Sequence, residues 1–381
     1  MTTPVSPSSP SVFAVIAGGG TAGHMIPALA IAEQLVDRGR SPRSIAFVAS
    51  RRSVDAQLLA DTEHPRLLLN VDGLQRSLTP RALRRTISAV PKMVVATALA
   101  TRQLRIWHPR VVVSVGGFAS EPAVRAARAL GIPVVVVSYD QHPGLATRRQ
   151  ARRAAAVAVA FAGSQLPGAK HTGAPVRNDV RRLVRNAASN DGARASAASI
   201  FGLDPTRRII VAMGGSLGSQ VVNSAIEEWT KINSSRTDLA VLHLAGERFM
   251  NDASPAPGGG IQYARRASHA KMSDVWMLAD VVICRAGAST IAELVAVGAP
   301  AVVIPWKDAA DDHQRINAKW LADAGAAIVI DEKLVASQFG AQLSRMVDDA
   351  VTRERIAAKA YALGALNRSS AIGSIIESAA R

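Results

Sequence analysis

Short runs of Val, Ile and Ala alternate along this chain with longer Ala/Leu-rich stretches of helical period. Such alternation predicts βα units and a parallel sheet whose strands are buried on both faces. In the first half the runs predict strands at Val12–Ala17, Ser44–Ala49, Arg66–Val71, Arg110–Val115, Pro133–Ser138 and Val157–Ala160. Helical patterns lie between them at Ala28–Arg38, Ser53–Asp61, Pro80–Ile106 and Pro122–Leu130. The second half repeats the theme. Strands are expected at Arg208–Met213, Leu239–Leu244, Val281–Cys284, Ala301–Pro305 and Ala326–Ile330, with helices at Gln220–Ile232, Ile291–Val297, Asp312–Ala324 and Lys333–Val347. After Pro175 a polar, Arg/Asn/Ser-rich stretch to about Ser199 reads as a boundary. One sheet holding all these strands would exceed the usual number, so two doubly wound domains facing a cleft are predicted. The expected limits are a flexible tail at 1–10, an N-terminal domain at 11–175 and a C-terminal domain at 176–350. Helices at 351–381, read from the stretch Arg353–Ala380, are free to pack back on the N-terminal domain.

The chain length of 381 residues fits that organisation. Hydrophobic residues make up 48% and charged residues 19%, which excludes a disordered chain. The one cysteine, Cys284, excludes a disulfide framework and a Cys-based zinc site, and fits a reducing compartment. No apolar run has the 18 or so residues needed to cross a bilayer, and the first ten residues lack signal-peptide character, so a cytoplasmic protein is expected. Charge changes the picture more. Lys+Arg number 45 against 29 Asp+Glu, a net +16, which suits nucleic acid, a membrane surface or an anionic substrate. Aromatic residues are only 4%, too few for the stacking faces of a single-strand binder, so no nucleic-acid partner is expected.

Three glycine clusters each follow a predicted strand and precede a predicted helix: Gly18–His24, Gly116–Ser120 and Gly214–Ser219. At the carboxyl end of a strand, such a loop lets backbone N–H groups and the positive end of the next helix face an anion. Three on the same edge of two sheets point to phosphate-bearing ligands. Gly18, Gly20 and Gly23 also fit G-x-G-x-x-G, but the second strand ends Ala49-Ser50-Arg51-Arg52 without the acidic residue that NAD requires. The arginines leave an NADP-dependent oxidoreductase as an alternative. His24, a titratable group directly after the loop, favours transfer chemistry instead.

Two further segments carry polar chemistry. Thr290 and Glu293 have the spacing of a capping box, in which Glu293 would satisfy an N-cap amide; a carboxylate there also suits the two hydroxyls of a ribose. Asp311 or Asp312 suits a helix N-cap, and His313, Gln314 and Asn317 fall on neighbouring helical positions suited to sugar hydroxyls. The chain contains no G-x-x-x-x-G-K-[ST], no H-E-x-x-H and no Asp-x-Asp, and its eight histidines show no close ligand spacing.

In order, Gly18-Gly-Gly-Thr-Ala-Gly-His24 with Pro27, Gly116-Gly-Phe-Ala-Ser-Glu-Pro122, Gly173-Ala-Pro-Val-Arg177, Gly214-Gly-Ser-Leu-Gly218, Arg285-Ala-Gly-Ala-Ser-Thr-Ile-Ala-Glu293 and Asp311-Asp-His-Gln314 with Asn317 resemble one family. It is the MurG family of peptidoglycan N-acetylglucosaminyltransferases, and the resemblance spans about residues 12–365. It implies a GT-B fold of two Rossmann-like domains, no cofactor and no metal. The implied reaction is inverting transfer of GlcNAc from UDP-GlcNAc to the C4 hydroxyl of the muramyl sugar of lipid I, an undecaprenyl-diphosphate-linked acceptor, giving lipid II. A non-catalytic or altered-specificity nucleotide-sugar-binding relative is a further alternative.

By that resemblance Glu293 holds the uridine ribose, Ser216 and nearby amides hold pyrophosphate with Arg177, and Arg285 lines the nucleotide site. Gln314, with His313, reads GlcNAc hydroxyls. Thr21, Ala22, Gly23, Gly116, Gly117 and His142 face the acceptor diphosphate. His24 is the first candidate base, since its ordinary pKa lies near neutrality, and Asp140 the second. The chain departs from the family pattern at Tyr139-Asp140-Gln141-His142, where the family has His-Glu-x-Asn, at Ala174, at Leu217 and at Ser268–Lys271. Finally, Leu74, Leu78, Leu83, Ile87, Val90, Met93 and Val94 lie among Arg76, Arg81, Arg84, Arg85 and Lys92, a mixture suited to an anionic membrane surface. Peripheral attachment at the cytoplasmic face of the bacterial cell membrane is the expected location.

Overall fold

The computed structural model describes residues 11–20, 22–51, 53–71, 80–183, 191–215, 218–251 and 259–380, with backbone alone for 22, 53, 54, 80–90 and 310. The chain forms two compact units, Met1–Arg177 with Ser369–Arg381, and Asn178–Arg368.

The first unit is built on a seven-stranded parallel sheet. Its strands are β1 (Ala14–Ala17), β2 (Ile45–Ser50), β3 (Arg66–Leu69), β4 (Val111–Ser114), β5 (Val134–Ser138), β6 (Ala156–Val159) and β7 (Ala169–His171), in the order β3-β2-β1-β4-β5-β6-β7. The continuous Val/Ile/Ala runs are what two-sided burial demands: β1, β2, β4 and β5 are buried at every position. Helices α1 (Ala22–Asp37), α2 (Ser53–Ala60), α3 (Pro80–Trp107), α4 (Glu121–Ala129) and α5 (Leu145–Ala151) connect them. α3 turns Ala96, Ala100 and Leu104, spaced four apart, into the core. The helix α1 begins six residues before the predicted Ala28 and takes Pro27 inside it, so His24 sits in a first helical turn rather than in a loop.

The second unit carries a six-stranded parallel sheet. Its strands are β8 (Arg208–Met213), β9 (Leu239–Leu244), β10 (Gln262–Arg266), β11 (Val281–Cys284), β12 (Ala301–Val303) and β13 (Ile328–Val329), in the order β10-β9-β8-β11-β12-β13. Its helices are α6 (Asn178–Arg181), α7 (Asp191–Phe201), α8 (Gln220–Ile232), α9 (Met272–Leu278), α10 (Ala288–Val297), α11 (His313–Asp323), α12 (Val335–Asp348) and α13 (Ala350–Leu363). The polar stretch expected to be a boundary up to Ser199 contains α7, which buries Ala197, Ala198 and Phe201.

The expected helical stretch Arg353–Ala380 is two helices that part company. α13 lies against α10, and Gly364 ends it where a Cβ would strike the Val295 carbonyl. α14 (Ala371–Ala379) joins the first unit, burying Ile372 and Ile376. Gln34 Oε1 accepts from the Gly373 N–H at 3.2 Å, and Glu377 pairs with Arg38 at 2.7 Å and Arg40 at 3.0 Å.

Candidate active site

In the first unit the carboxyl ends of β1, β4 and β5 bring three loops together. The Gly18–Gly20 turn is held by Asp55, a fully buried residue of α2. One oxygen, Oδ2, accepts from the Gly20 N–H (2.6 Å), the Ser50 N–H (3.1 Å) and the Ser50 hydroxyl (2.7 Å). Gly19 has φ +125°, and a Cβ on it would collide with that same oxygen, so only glycine fits. Sequence reasoning passed over Asp55; the signal was an isolated carboxylate in the first turn of the helix after the second strand.

The second loop rests on a buried polar network. The Ser114 hydroxyl donates to Gln150 Oε1 (2.6 Å) and accepts from the Gly116 N–H (3.2 Å), while Gln150 Nε2 donates to the Ser120 hydroxyl (3.1 Å) and Glu121 Oε2 (2.8 Å). Ser120 in turn donates to the Gly117 carbonyl at 2.9 Å. Every polar group is matched, which fixes the loop rather than weakening the core.

His24 lies against this loop: its Nε2 is 3.2 Å from the position a Cβ on Gly117 would occupy. The Tyr139 ring stands edge-on to it at 6.3 Å, and the Tyr139 hydroxyl donates to the Gly23 carbonyl at 3.1 Å. Burial pushes the imidazole pKa below 6.5, and the carboxylates of Asp140 and then Asp55 partly oppose that. At pH 7 the ring is therefore mostly neutral, the form a base requires. Tyr139 is itself pushed well above 10 by burial and, less, by the Asp140 charge, and stays a phenol. His142 is exposed on the loop before α5. Thr21 lies outside the described residues, as does the side chain of Ala22.

In the second unit Glu293 is 7% exposed, and its Oε2 accepts from the Trp276 indole N–H at 2.7 Å. The capping-box expectation fails here. α10 begins at Ala288 with Gly287 as N-cap, so Thr290 and Glu293 are interior to the helix, and Glu293 answers an indole rather than an N-cap amide. Trp276 was not singled out in the sequence; a lone core tryptophan carries no signal until the fold sets α9 beside α10.

Arg285 is also buried, at 8% exposed. Its guanidinium donates to Glu332 at 2.8 Å and to the Ile304 carbonyl at 3.1 Å. Gln314 Oε1 accepts from the backbone N–H groups of Ala286 (3.2 Å) and Trp306 (3.0 Å), and Asn317 Nδ2 donates to the Ala286 carbonyl (3.2 Å). The loops after β11 and β12 are thus tied together by the residues expected to meet ligand. Gln314 keeps its NH2 end out of these bonds. Asp312, one of the two residues expected as an N-cap, holds that position on α11 but makes no side-chain cap bond, and it and Asp311 sit in the left-handed region at φ 54° and 53°. Two successive strained residues directly before His313 and Gln314 fit a loop shaped for a ligand.

The third glycine loop opens α8, whose N-cap Ser219 accepts from the Val222 N–H. Ser216 and Leu217 lie outside the described residues. Gly218, φ +71°, passes so close to the Ala245 carbonyl that a Cβ would strike it. That carbonyl accepts from Asn223 Nδ2 (3.0 Å), so Asn223 Oδ1 is left to accept from His243 Nε2 (3.0 Å), and His243 Nδ1 accepts from the Tyr263 hydroxyl (2.6 Å). Burial, with a smaller contribution from Arg265, pushes His243 down to about 3. Between pH 6.5 and about 3 the unfolded ring binds a proton that the folded ring refuses, so stability falls as pH falls through that window. The slope is at most about 1.4 kcal/mol per pH unit. Urea midpoints at pH 7.0 and 4.5 test this: the drop in wild type is expected to exceed that in His243→Gln, and parallel drops would exclude His243 as the source.

Arg177, half-buried, ends the first unit just before α6. In the Ser268–Lys271 segment, His269 Nε2 and Lys271 Nζ both meet Asp274, at 3.0 and 2.9 Å. Among the described residues no group of three or more His, Cys, Asp or Glu could hold a metal ion.

Two parallel sheets with glycine loops at their carboxyl edges are the architecture of the GT-B class, and comparison with known proteins identifies the chain as a glycosyltransferase of that class. Residues 14–159 match the glycosyltransferase family 28 N-terminal domain and residues 209–371 its C-terminal domain. A protein of Syntrophus aciditrophicus is 32% identical over 358 residues, 93% of this chain and 95% of its own length. One of Nocardioides sp. is 35% identical over 358 residues, covering 92% and 93%. Both are named UDP-N-acetylglucosamine--N-acetylmuramyl-(pentapeptide) pyrophosphoryl-undecaprenol N-acetylglucosamine transferase. The crystal structure of Acinetobacter baumannii MurG superposes with a TM-score of 0.71 at 25% identity, covering 96% of this chain and 99% of that one. The chain belongs to glycosyltransferase family 28, within its MurG family.

Proposed function

We propose that the protein transfers GlcNAc from UDP-GlcNAc to the muramyl C4 hydroxyl of lipid I, with inversion and without a metal, forming lipid II. The observation that carries this reading is the match over 93% of the chain to a transferase named for that donor and acceptor. The geometry supplies suitable parts. His24, neutral at pH 7 and backed by Asp140, takes the acceptor proton. The amides of Gly116 and Gly117, with His142, face the acceptor diphosphate. Glu293 accepts from the ribose hydroxyls, and the Gln314 NH2 end, with His313, addresses the sugar. The positive end of α8, with Ser216 and Arg177, stabilises the departing diphosphate. Arg285 acts through its pair with Glu332, holding the loop that presents Glu293. Turnover of UDP-GlcNAc with a lipid I analogue tests the reading, run beside UDP-GalNAc and UDP-glucose; no acceptor-dependent release of UDP from UDP-GlcNAc would overturn it.

The acceptor's lipid also supports a seat on an anionic membrane. No helix among the described residues is long and apolar enough to cross a bilayer. α3 nevertheless exposes Val94 (65%), Val95 (59%), Leu99 and Ile106, and Val95 and Leu99 line one shallow pocket with Lys92. The basic and apolar residues from 74 to 90 expected to share this role lie outside the described residues or side chains. Sedimentation with phosphatidylglycerol vesicles is expected at low salt and to weaken as salt rises. Val94→Asp/Val95→Asp should reduce it at least tenfold, and unchanged sedimentation would remove this face.

A further inference from the structure

The parallel sheet of the second unit has a second edge, opposite the loops described above. There, at the amino ends of β8, β11 and β12, lies a cavity of about 760 Å³ lined by Arg194, Arg207, Arg208, Arg353, Asp280 and Glu354. This size falls in the range of small-molecule sites, about 300–1,000 Å³.

Two of the four guanidinium groups are structural. Arg194 forms an ion pair with Asp280 at 2.7 Å and donates to the Pro205 and Arg207 carbonyls at 2.9 and 3.0 Å. Asp280 also accepts from the Ile209 N–H at 2.8 Å, and its charge reaches Arg353 as well. Arg207 donates to the Gly260 carbonyl at 2.5 Å and reaches Asp204 at 3.7 Å. The other two are differently placed. Arg208 Nη1 and Arg353 Nη1 converge on one oxygen, the Val347 carbonyl, at 2.8 and 2.9 Å. Arg353 also donates to the Met346 carbonyl at 3.2 Å. Neither guanidinium is within ion-pair distance of a carboxylate among the described residues. Glu354 is exposed at the rim.

The two guanidinium groups share the last-turn carbonyls of α12 and repel each other: burial and then the Arg208 charge push Arg353 below its ordinary value, while Asp280, Glu354 and Asp349 partly oppose that. Each guanidinium has five N–H donors in a planar fork, and only one nitrogen of each is used here. An oxyanion between them would relieve the repulsion and take the remaining donors in paired bonds. Tyr361, whose ring is stacked under Arg368 at 3.5 Å, walls one side of the same cavity.

We propose that Arg208 and Arg353 form a second anion site, separate from the donor and acceptor loops, that takes a small soluble molecule bearing a phosphate or diphosphate group. Its location at the amino ends of the strands keeps it clear of the β8 and β11 loops, so both can be filled together.

The test is calorimetric titration of the full chain with inorganic pyrophosphate at low salt, with UDP held tenfold above its own dissociation constant to occupy the donor loops. Beyond any pyrophosphate taken by the acceptor loops, one further per chain is expected, and it is the one that depends on Arg208 and Arg353. Arg208→Gln should weaken it about tenfold and Arg208→Gln/Arg353→Gln about 100-fold, with thermal stabilisation by UDP unchanged as the control for folding. No uptake in the presence of UDP would overturn the proposal, as would binding by Arg208→Gln within twofold of wild type. Phosphatidylglycerol vesicles separate the alternative source: a double variant that loses vesicle binding yet keeps pyrophosphate binding would also overturn it.

Discussion

His24→Ala is expected to lower kcat by about 100-fold or more, the contribution of a general base, with a smaller change in KM. The acceptor hydroxyl must lose its proton as the sugar transfers, and His24 is the titratable ring lying against the Gly117 backbone in the first unit. Its pKa, held below 6.5 by burial, makes the neutral ring the dominant form at pH 7. The wild-type rate should therefore rise along an acid limb below pH 6.5 and level off near neutrality, and the variant should lose that limb. Asp140 raises the ring's pKa, so Asp140→Asn should move the limb to lower pH. If His24 instead only donates to an acceptor phosphate, the protonated ring is the useful one. The limb would then run the other way, and His24→Gln, which keeps a donor, would retain most activity. Near-normal turnover in His24→Ala would remove it from the base role.

Much of the scaffold was legible because two-sided burial writes itself into sequence: β8, β9, β11 and α8 lie where the apolar runs place them. The omissions have physical causes. β10, Gln-Tyr-Ala-Arg-Arg, is an edge strand whose Arg265 pairs with Glu227 and the Phe249 carbonyl and whose Gln262 accepts from the Asp204 N–H, so it shows no strand-like pattern. α7 hides in a polar stretch because only one face of it is buried. In the candidate site, residue types pointed to loops but not to what holds those loops in place. Gln314 and Asn317 read as sugar-hydroxyl groups from their helical positions, and Arg285 as a nucleotide-site group by the family resemblance; all three bond backbone atoms of neighbouring loops, which no side-chain pattern reports. Asp55, Trp276, Asn223 and His243 were missed for the same reason, since each acts on a backbone group or a partner set beside it only by the fold.

The second large effect is expected at Glu293. Its carboxylate lies in α10 beneath the loop after β11, with the Trp276 indole N–H on Oε2. An ionised carboxylate is the acceptor suited to two ribose hydroxyls, and a hydrogen bond to a charged group contributes about 1.5–3 kcal/mol. Glu293→Gln keeps the shape and an oxygen for the indole, but it loses the charge and turns one acceptor into a donor. KM for UDP-GlcNAc should rise about 10- to 100-fold while kcat changes much less. The shift in Tm produced by UDP should shrink to match, since stabilisation by a ligand follows its dissociation constant. Trp276→Phe separates binding from positioning: it leaves the carboxyl group in place but unguided, so KM should rise only severalfold. Because Trp276 is fully buried, that variant should also lose unliganded stability, which Glu293→Gln largely keeps. A Glu293→Gln enzyme with wild-type KM and a lowered unliganded Tm would reverse the assignment and make Glu293 a structural partner of the indole alone.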